Sequence, residues 1–325
     1  MKTVNTPITK ELVLHHSLSE KDYVTKLLDR LHEVKVDLDI DKMAPWSHSR
    51  IKMFSSCPLQ FLLKNLMKVV YVPSDEQVKD QDSLLMKYTG LIAHHILEQM
   101  VLGQDFVQGY DSARSKYSDN PDINDDIWEA CIGLEARLHS FKTRIETFQI
   151  RYDSKQLDVE QKLAVDSNGK KVNFNSKNAF YRGILDLSIL LHSNHAMIFD
   201  HKNGGSSEHG VRNYEQQLKG QALLLTANYP EITHVVPFIH FIQEGTIWGG
   251  KVIYQKEAVL DQFLLSIKSR LTGAIDSLIA KGKFSQRSGN QCNYCEFKAH
   301  CKVGKRASGG VFKPLIEESK ILFRG

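Results

Sequence analysis

The sequence predicts an α/β fold in which helical segments flank a strand-rich core. Two patterns support this prediction. Between residues 47 and 150, apolar side chains recur at helical spacing. Beyond residue 150, short apolar runs rich in β-branched and aromatic residues alternate with polar turns and with long amphipathic segments. A core built from those strands and covered by the helices accounts for both patterns.

The first half is predicted to be helical. The predicted helices cover 47–70, 84–102 and 105–150, the last with a polar break at 118–124. Ser47 or Ser49 can cap the first helix, because a hydroxyl accepts from the free amides of the first turn. The second carries an apolar stripe that includes Ile92, Ile96 and Met100.

The second half is predicted to supply the sheet. The predicted strands cover 158–165, 180–191, 195–202, 232–243 and 251–254, and the predicted helices cover 214–228 and 257–280. A polar turn at 192–194 separates the second strand from the third. Pro237 interrupts the fourth, which indicates an edge strand or a bulge because proline has no amide hydrogen for the ladder.

Composition excludes several protein classes. The chain has 325 residues, of which 42% are hydrophobic and 25% charged, with 20 glycines and eight prolines, so it is neither collagen-like nor of low complexity. No apolar run is long enough to span a membrane, and residues 1–17 contain no apolar signal segment. We therefore expect a cytoplasmic protein without membrane association. Five cysteines in such a chain argue against a disulfide framework and draw attention to a metal site.

Positive charge is concentrated near the C-terminus. Residues 281–313 contain eight lysines and arginines and a single acid, Glu296, whereas the whole chain carries a net charge of only +4. Such a segment suits a polyanionic partner, although a solvated basic face is an equally good interpretation of charge alone.

Acidic side chains occur in two neighbouring predicted strands. Asp186 lies within the first, and Asp200 and Lys202 lie two residues apart at the end of the second. Charged groups at the end of an apolar strand are costly unless they are paired. One interpretation is a surface ion pair. The other is metal-assisted phosphodiester hydrolysis, in which the carboxylates hold Mg²⁺ or Mn²⁺ and the lysine orients water or stabilises developing charge.

Two helices add further polar groups. His94 and Glu98 are four residues apart and share a helix face, where the histidine could add a nitrogen ligand or serve only as a helix residue. Tyr214, Gln217 and Gln221 form a polar stripe on a largely apolar helix, facing either the metal or the solvent.

In this order and spacing, the motifs resemble RecB-like nucleases of the PD-(D/E)XK superfamily. The resemblance rests on Gly-x-x-x-His with Glu98, on Glu160, on Arg-Gly-Ile-Leu-Asp, on Ile-Phe-Asp-His-Lys-Asn-Gly and on Gln-Gln-Leu, and it covers about residues 47–301. It implies a restriction-endonuclease-like core, a central mixed sheet flanked by helices, with a helical N-terminal part and a C-terminal cysteine knuckle. It divides the chain into an N-terminal extension at 1–45, a helical part at 46–155, a nuclease core at 156–282, and a knuckle with a basic tail at 283–325.

The resemblance also implies roles for individual residues. His94, Asp186 and Asp200 would bind Mg²⁺ or Mn²⁺, with a contribution from the His201 carbonyl. Lys202 would be the catalytic lysine. The helix glutamine of the family would be Gln217. Glu160 matches an acidic position to which we assign no role, and Gln221 stands where the family often has a tyrosine.

Four cysteines form a candidate cofactor site. Cys292 and Cys295 are separated by two residues, Cys301 follows, and Cys57 lies far upstream. Four thiolates suit either Zn²⁺ or an iron–sulfur cluster, although structural zinc more commonly uses two close pairs. The resemblance to iron–sulfur RecB-like nucleases, including AddB-type subunits and CRISPR-adaptation nucleases, implies a [4Fe–4S] cluster in preference to zinc. Cys131 lies in a helical apolar context and is predicted to be a buried small hydrophobe.

The sequence thus predicts a metal-dependent DNA nuclease, namely an exonuclease on single-stranded DNA or DNA ends. The resemblance places it in recombination, repair, CRISPR adaptation or phage DNA processing. No phosphate-binding G-x-x-x-x-G-K-[S/T] loop is present, so the chain carries no ATP motor of this kind. Because RecB-like nucleases are often fused or bound to helicases, the resemblance implies a helicase or recombination partner, and a stand-alone role fits it equally. The alternatives are a catalytically silent DNA-binding or assembly module of the same fold, and a zinc-binding interaction protein.

Overall fold

The computed structural model describes most of the chain between Asp39 and Cys295. The described residues are 39–41, 43–66, 69–71, 81–205, 208–281, 284–292, 295 and 321–323. Contacts divide the chain into two compact units. The larger is Lys79–Ile267, and the smaller combines Met1–Val78 with Lys268–Gly325. The four-part division of the sequence into 1–45, 46–155, 156–282 and 283–325 stays a prediction.

Eight α-helices occur in the described ranges. They are α1 (His48–Ser56), α2 (Pro58–Phe61), α3 (Gln81–Val101), α4 (Phe106–Tyr117), α5 (Asp125–Ile132), α6 (Glu135–Arg151), α7 (Glu208–Asn228) and α8 (Leu264–Lys281). Turns of π-helix extend α2 over Leu62–Leu66 and precede α8 over Ala258–Phe263. The predicted break in the third helical region is present, since α4 and α5 are separate helices. Ser47 caps α1 by accepting a hydrogen bond from the Arg50 amide.

The strands form one large mixed sheet and one small pair. They are β1 (Val69–Tyr71), β2 (Ser154–Val165), β3 (Lys171–Val172), β4 (Tyr181–Leu191), β5 (His195–Lys202), β6 (His234–Phe241), β7 (Thr246–Gly249), β8 (Tyr254–Gln255) and β9 (Ile321–Phe323). The large sheet has the order β3-β2-β4-β5-β6-β7, with β8 also paired to β6. All its pairs are antiparallel except β5–β6. This mixed sheet with flanking helices confirms the predicted fold class.

Two expectations about β6 and its neighbours are wrong. The strand lies inside the sheet, with β5 on one side and both β7 and β8 on the other, so it is not an edge strand. Pro237 is tolerated because β8 pairs with His234 and Val235 whereas β7 pairs from Phe238 onward, which leaves the proline between the two ladders. The strand predicted at 251–254 is replaced by β7 and β8, since Gly249 and the glycine after it adopt positive φ and end β7.

A continuous apolar core joins the sheet to α3–α6 in the larger unit. Its buried members include Ile92, Ile96 and Met100 from α3, and Leu187 and Phe199 from adjoining strands. The stripe predicted on α3 is therefore the face that packs inward.

Cys131 belongs to the same core and is fully buried, as predicted for a small hydrophobe. Burial raises the pKa of its thiol to about 12, so it stays a neutral thiol at physiological pH.

The smaller unit has its own aromatic core. Trp46, Phe54 and Phe61 are almost fully buried, and the Trp46 and Phe61 rings stack with their centroids 5.4 Å apart. Cys57 lies between α1 and α2, where Pro58 starts the second helix. None of the helices in the described part of the chain combines the length and apolarity needed to cross a membrane.

Candidate active site

Three acidic residues occupy neighbouring positions on β2, β4 and β5. Val159 pairs with Leu187 and the following ladder positions continue in the same register, which sets Glu160 opposite Asp186. The β4–β5 ladder ends where Leu187 pairs with Phe199, so the next residues are Asp186 on one strand and Asp200 on the other. Strand register thus brings together carboxylates that are far apart in sequence.

The pairing of β4 with β5 stops at this point, while β5 stays paired with β6. The amide of His201 donates to Asp186 Oδ2 at 2.6 Å. Glu160 has a φ of 47°, a left-handed conformation that costs a non-glycine residue roughly 1 kcal/mol or more. The surrounding ladder holds it there, next to the other carboxylates.

His94 of α3 completes a set of metal-binding groups. Its Nδ1 lies 4.0 Å from Asp186 Oδ2. His94, Glu160 and Asp186 each offer one ligand atom, and these three atoms lie within 4.8 Å of one another. No other group of three His, Cys, Asp or Glu residues in the described part of the chain comes together in this way. One nitrogen and two carboxylate oxygens suit a divalent cation such as Mn²⁺ or Mg²⁺. The sequence predicted His94 and Asp186 for this site but gave Glu160 no role.

The electrostatics of this group fit a cation. Removal from water and the nearby charge of Asp200 raise the pKa of Asp186 well above its usual range, against the hydrogen bond from His201. Burial and the charge of Glu98 raise the pKa of Glu160. Burial lowers the pKa of His94, which favours the neutral ring that ligates metals. A bound cation would reduce the repulsion between these crowded carboxylates and could also be ligated by the neutral imidazole.

Asp200 is the centre of a second polar group, between β5 and α7. Its side chain is 1% exposed, and its Oδ2 lies 2.6 Å from Lys202 Nζ. Its Oδ1 accepts from the side-chain amides of Gln217 at 2.6 Å and Gln221 at 3.0 Å. Lys202 also donates to Gln217 Oε1 at 3.3 Å and lies 4.9 Å from the centre of the Tyr214 ring. These contacts fix the lysine at the end of β5.

The sequence-predicted residues therefore fall into two adjoining groups. His94 and Asp186 lie with Glu160, and Asp200 lies with Lys202 and Gln217. Gln221, which stands where the resemblance leads one to expect a tyrosine, binds the Asp200 carboxylate. Its position one helical turn beyond Gln217 was the available sequence signal for that contact.

The ring of His201 packs among other aromatic side chains, and its centroid lies 5.3 Å from that of His94. The ring is buried against His240, with the two Nδ1 atoms 3.2 Å apart, and against Phe141. Burial and the neighbouring His240 lower its pKa well below the usual value. The predicted contribution of His201 to a metal involves its backbone carbonyl rather than its ring. The His201 backbone also forms a hydrogen bond with His94, which raises the pKa of His94.

Steric constraints explain why the first position of the Gly-x-x-x-His motif is a glycine. A Cβ at Gly90 would lie 2.8 Å from Asn203 Cβ, closer than side chains approach one another. Asn203 follows Lys202 directly, donates to the Met86 carbonyl of α3 and accepts from Gln243 at 2.9 Å. Gly90 therefore lets α3 pack on the end of β5, which places His94, one turn later, against the carboxylates.

The predicted cysteine site belongs to the smaller unit. Hydrogen bonds join the Cys57 region to the segment before Cys292, namely Leu59 N to Ser285 O at 3.4 Å, Arg287 to Ser55 O at 2.6 Å and Gln291 to Ser56 O at 3.2 Å. Cys292 is 6% exposed, and Cys57 is partly buried. Neither they nor Cys295 is in a disulfide, and Cys301 lies outside the described residues.

Comparison with known proteins agrees with this architecture. Residues 45–302 match the PD-(D/E)XK nuclease superfamily. No curated protein matches the chain. One solved structure, the crystal structure of SSO0001, is 14% identical, and the match covers 70% of this chain and 98% of that one with a TM-score of 0.32, which is too low to carry an argument. On the match across most of its length, the chain belongs to the PD-(D/E)XK nuclease superfamily.

Proposed function

We propose that the protein is a metal-dependent DNA nuclease, an exonuclease that acts on single-stranded DNA or DNA ends. One observation carries this proposal: the ligand atoms of His94, Glu160 and Asp186 converge beside a lysine held by Asp200. Membership of a nuclease superfamily supports the same chemistry.

His94, Glu160 and Asp186 would hold Mg²⁺ or Mn²⁺, joined by the His201 carbonyl and by Asp200. When bound, the ion lowers the pKa of a water molecule and neutralises charge on the phosphate. Both oxygens of Asp200 are engaged by Lys202 and the α7 glutamines. A carboxylate oxygen has more than one lone pair, so Asp200 could join the metal while keeping these contacts.

Lys202 is the residue proposed to act on the reacting groups. Its side chain is 21% exposed, and its ammonium is oriented by Asp200 Oδ2 and Gln217 Oε1. A positioned ammonium can orient the attacking water and stabilise negative charge that develops on the phosphate oxygens. Gln217 bridges Asp200 and Lys202 and therefore acts through them as a positioning residue.

The test is a digestion series on end-labelled linear and circular single-stranded DNA and on linear duplex DNA, with EDTA, Mg²⁺ or Mn²⁺. We expect metal-dependent degradation of linear DNA, with circular single strands left intact because they have no ends. Lys202→Ala should reduce the rate by about 10²–10³-fold, the usual effect of losing one charge-stabilising donor. The control is Lys219→Ala on α7, whose ammonium pairs with Glu215. Metal-independent cleavage, or full activity in Lys202→Ala, would contradict the assignment.

We also propose a [4Fe–4S] cluster bound by Cys57, Cys292, Cys295 and Cys301. The hydrogen bonds between the segments around Cys57 and Cys292, and the burial of Cys292, support this ligand set. Protein purified without air should be brown and contain iron and sulfide, and Cys292→Ala should lose both. Cys131→Ala is the matched control, since that thiol lies in the core of the larger unit. A colourless protein loaded with zinc would overturn the cluster in favour of Zn²⁺.

The same proposal extends to the setting of the activity. The resemblance in sequence supports recombination, repair, CRISPR adaptation or phage DNA processing, with a helicase or recombination protein as partner and a cytoplasmic location.

A further inference from the structure

A second polar group adjoins the metal-binding carboxylates, and the nuclease motifs do not include it. Lys116, in the last turn of α4, is exposed, and its Nζ lies 3.2 Å from Nδ1 of His95. His95 follows His94 on α3 and is only 8% exposed. An exposed ammonium is thus tied to a buried ring one residue from a proposed metal ligand.

The hydrogen bonds of His95 define how the lysine is held. An ammonium can only donate, so Nδ1 of His95 is the acceptor. Nε2 then carries the proton and donates to the Ser112 hydroxyl at 2.9 Å. The Glu98 carboxylate lies 3.5 Å from the same Nδ1. A ring fixed on one side by Ser112 keeps the ammonium at one position.

Lys116 also lies within electrostatic reach of the metal-binding group. Its charge acts against burial to lower the pKa of Glu160. The acidic residues of the site repel a polyanionic strand. DNA therefore binds there only if fixed positive charge lies close to them. Lysine is a compact cation that binds phosphate as a point charge.

We propose that Lys116 binds a backbone phosphate of the nucleic acid, next to the phosphate that is cleaved. The helical segment between α3 and β2 then contributes to substrate binding as well as to the core. This inference rests on the proposed function, because it assumes a nucleic-acid substrate. The competing explanation is that Lys116 only neutralises Glu98 and Glu160.

Salt dependence separates the two explanations. Each phosphate contact to a single strand contributes a slope of about −0.7 to the logarithm of the binding constant against the logarithm of salt concentration. Binding of an end-labelled single-stranded oligonucleotide is measured in EDTA over a salt series. Lys116→Ala and Lys116→Gln should each give a slope shallower by about 0.7, with weaker binding at low salt, while Lys116→Arg keeps the wild-type slope. The matched control is Lys155→Ala, which removes a lysine that pairs with Glu231 near the start of β2.

Two results would overturn the inference. An unchanged slope in both neutral variants, with slower cleavage at saturating DNA, would mean that Lys116 acts only on the carboxylates. Wild-type protein that fails to bind the oligonucleotide at all would overturn the proposed function together with it. Lys116→Gln keeps a donor for His95, so it preserves the fold if the alanine variant is unstable, which circular dichroism checks.

Discussion

The acidic side chains at the centre of the site repel one another in the metal-free protein. Asp186 is affected most, because it is withdrawn from water and faces Asp200 on one side and Glu160 on the other. Natural proteins keep such clusters where they bind cations, since the ion supplies the missing charge. Repulsion among these carboxylates should therefore lower the free energy of unfolding of the metal-free protein by a measurable amount.

Glu160→Gln tests this effect. The substitution removes one like charge from the cluster, so the metal-free variant should be more stable by about 1 kcal/mol. It also removes a proposed ligand, so the rise in Tm on adding Mn²⁺ should shrink. Thermal unfolding in EDTA and in Mn²⁺ measures both effects, with Glu129→Gln, an exposed residue of α5, as the control. A less stable metal-free variant with an undiminished response to Mn²⁺ would exclude Glu160 as a ligand.

His240 makes the fold sensitive to acid. It is fully buried, and burial lowers its pKa to about 3. Between that pKa and the ordinary value near 6.5, the unfolded chain binds a proton that the folded chain does not. Stability should therefore fall as the pH is lowered from about 6.5, by up to roughly 1.4 kcal/mol per pH unit from this residue.

Urea unfolding between pH 4.5 and 7 measures this slope. His240→Gln keeps a hydrogen-bonding side chain beside His201 but does not titrate, so its stability should depend less on pH. His195→Gln is the control, because that ring lies at the sheet end and is partly exposed. Equal pH slopes in wild type and His240→Gln would show that His240 is not the acid-sensitive group.

Among the elements, α3 depends on a close contact with the end of β5. Gly90→Ala adds a Cβ that collides with Asn203, and overpacking of this kind costs about 1–3 kcal/mol. Alanine is the better helix former by about 1 kcal/mol, which offsets part of that loss. We expect Gly90→Ala to be destabilised. We also expect it to lose more activity than the loss of stability alone would explain, because the collision displaces His94 from the carboxylates.

A second helix glycine is the matched control for this prediction. A Cβ added at Gly273 of α8 would meet no atom of the described residues within 4 Å, so Gly273→Ala should be neutral or stabilising. In the double variant that combines Gly90→Ala with Asn203→Gly, the collision should be relieved. Urea denaturation and nuclease assays of the three variants decide the matter, and Gly90→Ala with wild-type activity would show that this contact does not position His94.

The sequence contained the parts of the site that lie in short linear motifs. Roles for His94, Asp186, Asp200, Lys202 and Gln217 were predicted because these motifs, in their order and spacing, resemble those of RecB-like nucleases, and the roles stay predictions. Glu160 could not be assigned a role, since its place depends on the register between β2 and β4. The contact of Lys116 with His95 could not be predicted for the same reason, because it depends on the packing of α4 on α3.

Strand order shows the same limit at the scale of the fold. The apolar runs located β4, β5 and β6 closely, whereas the position of β6 inside the sheet follows from two separate partners on one side. A local rule about proline cannot detect that arrangement, because it depends on where β7 ends and β8 begins.

At the scale of the whole molecule, the smaller unit is assembled from the two ends of the chain. Met1–Val78 and Lys268–Gly325 are separated by the entire larger unit in sequence. Bringing such distant segments together carries a large entropy cost, and a four-ligand cluster would offset it because its ligands come from both segments. The proposed cofactor would therefore stabilise this unit in particular.

Loss of the proposed cluster should therefore destabilise the smaller unit more than the larger one. In Cys292→Ala, hydrogen exchange of α1, with the buried Phe54, should become much faster, because the smaller unit would lose the proposed cross-link. Exchange in β4 and β5 should stay slow, since the larger unit has a continuous core of its own that includes Leu187 and Phe199. Hydrogen exchange followed by mass spectrometry resolves the two units, with Cys131→Ala as the control that perturbs only the larger one. Equal acceleration in both units would mean that the cysteines support the whole molecule, and no acceleration in either would mean that they bind no structural cofactor.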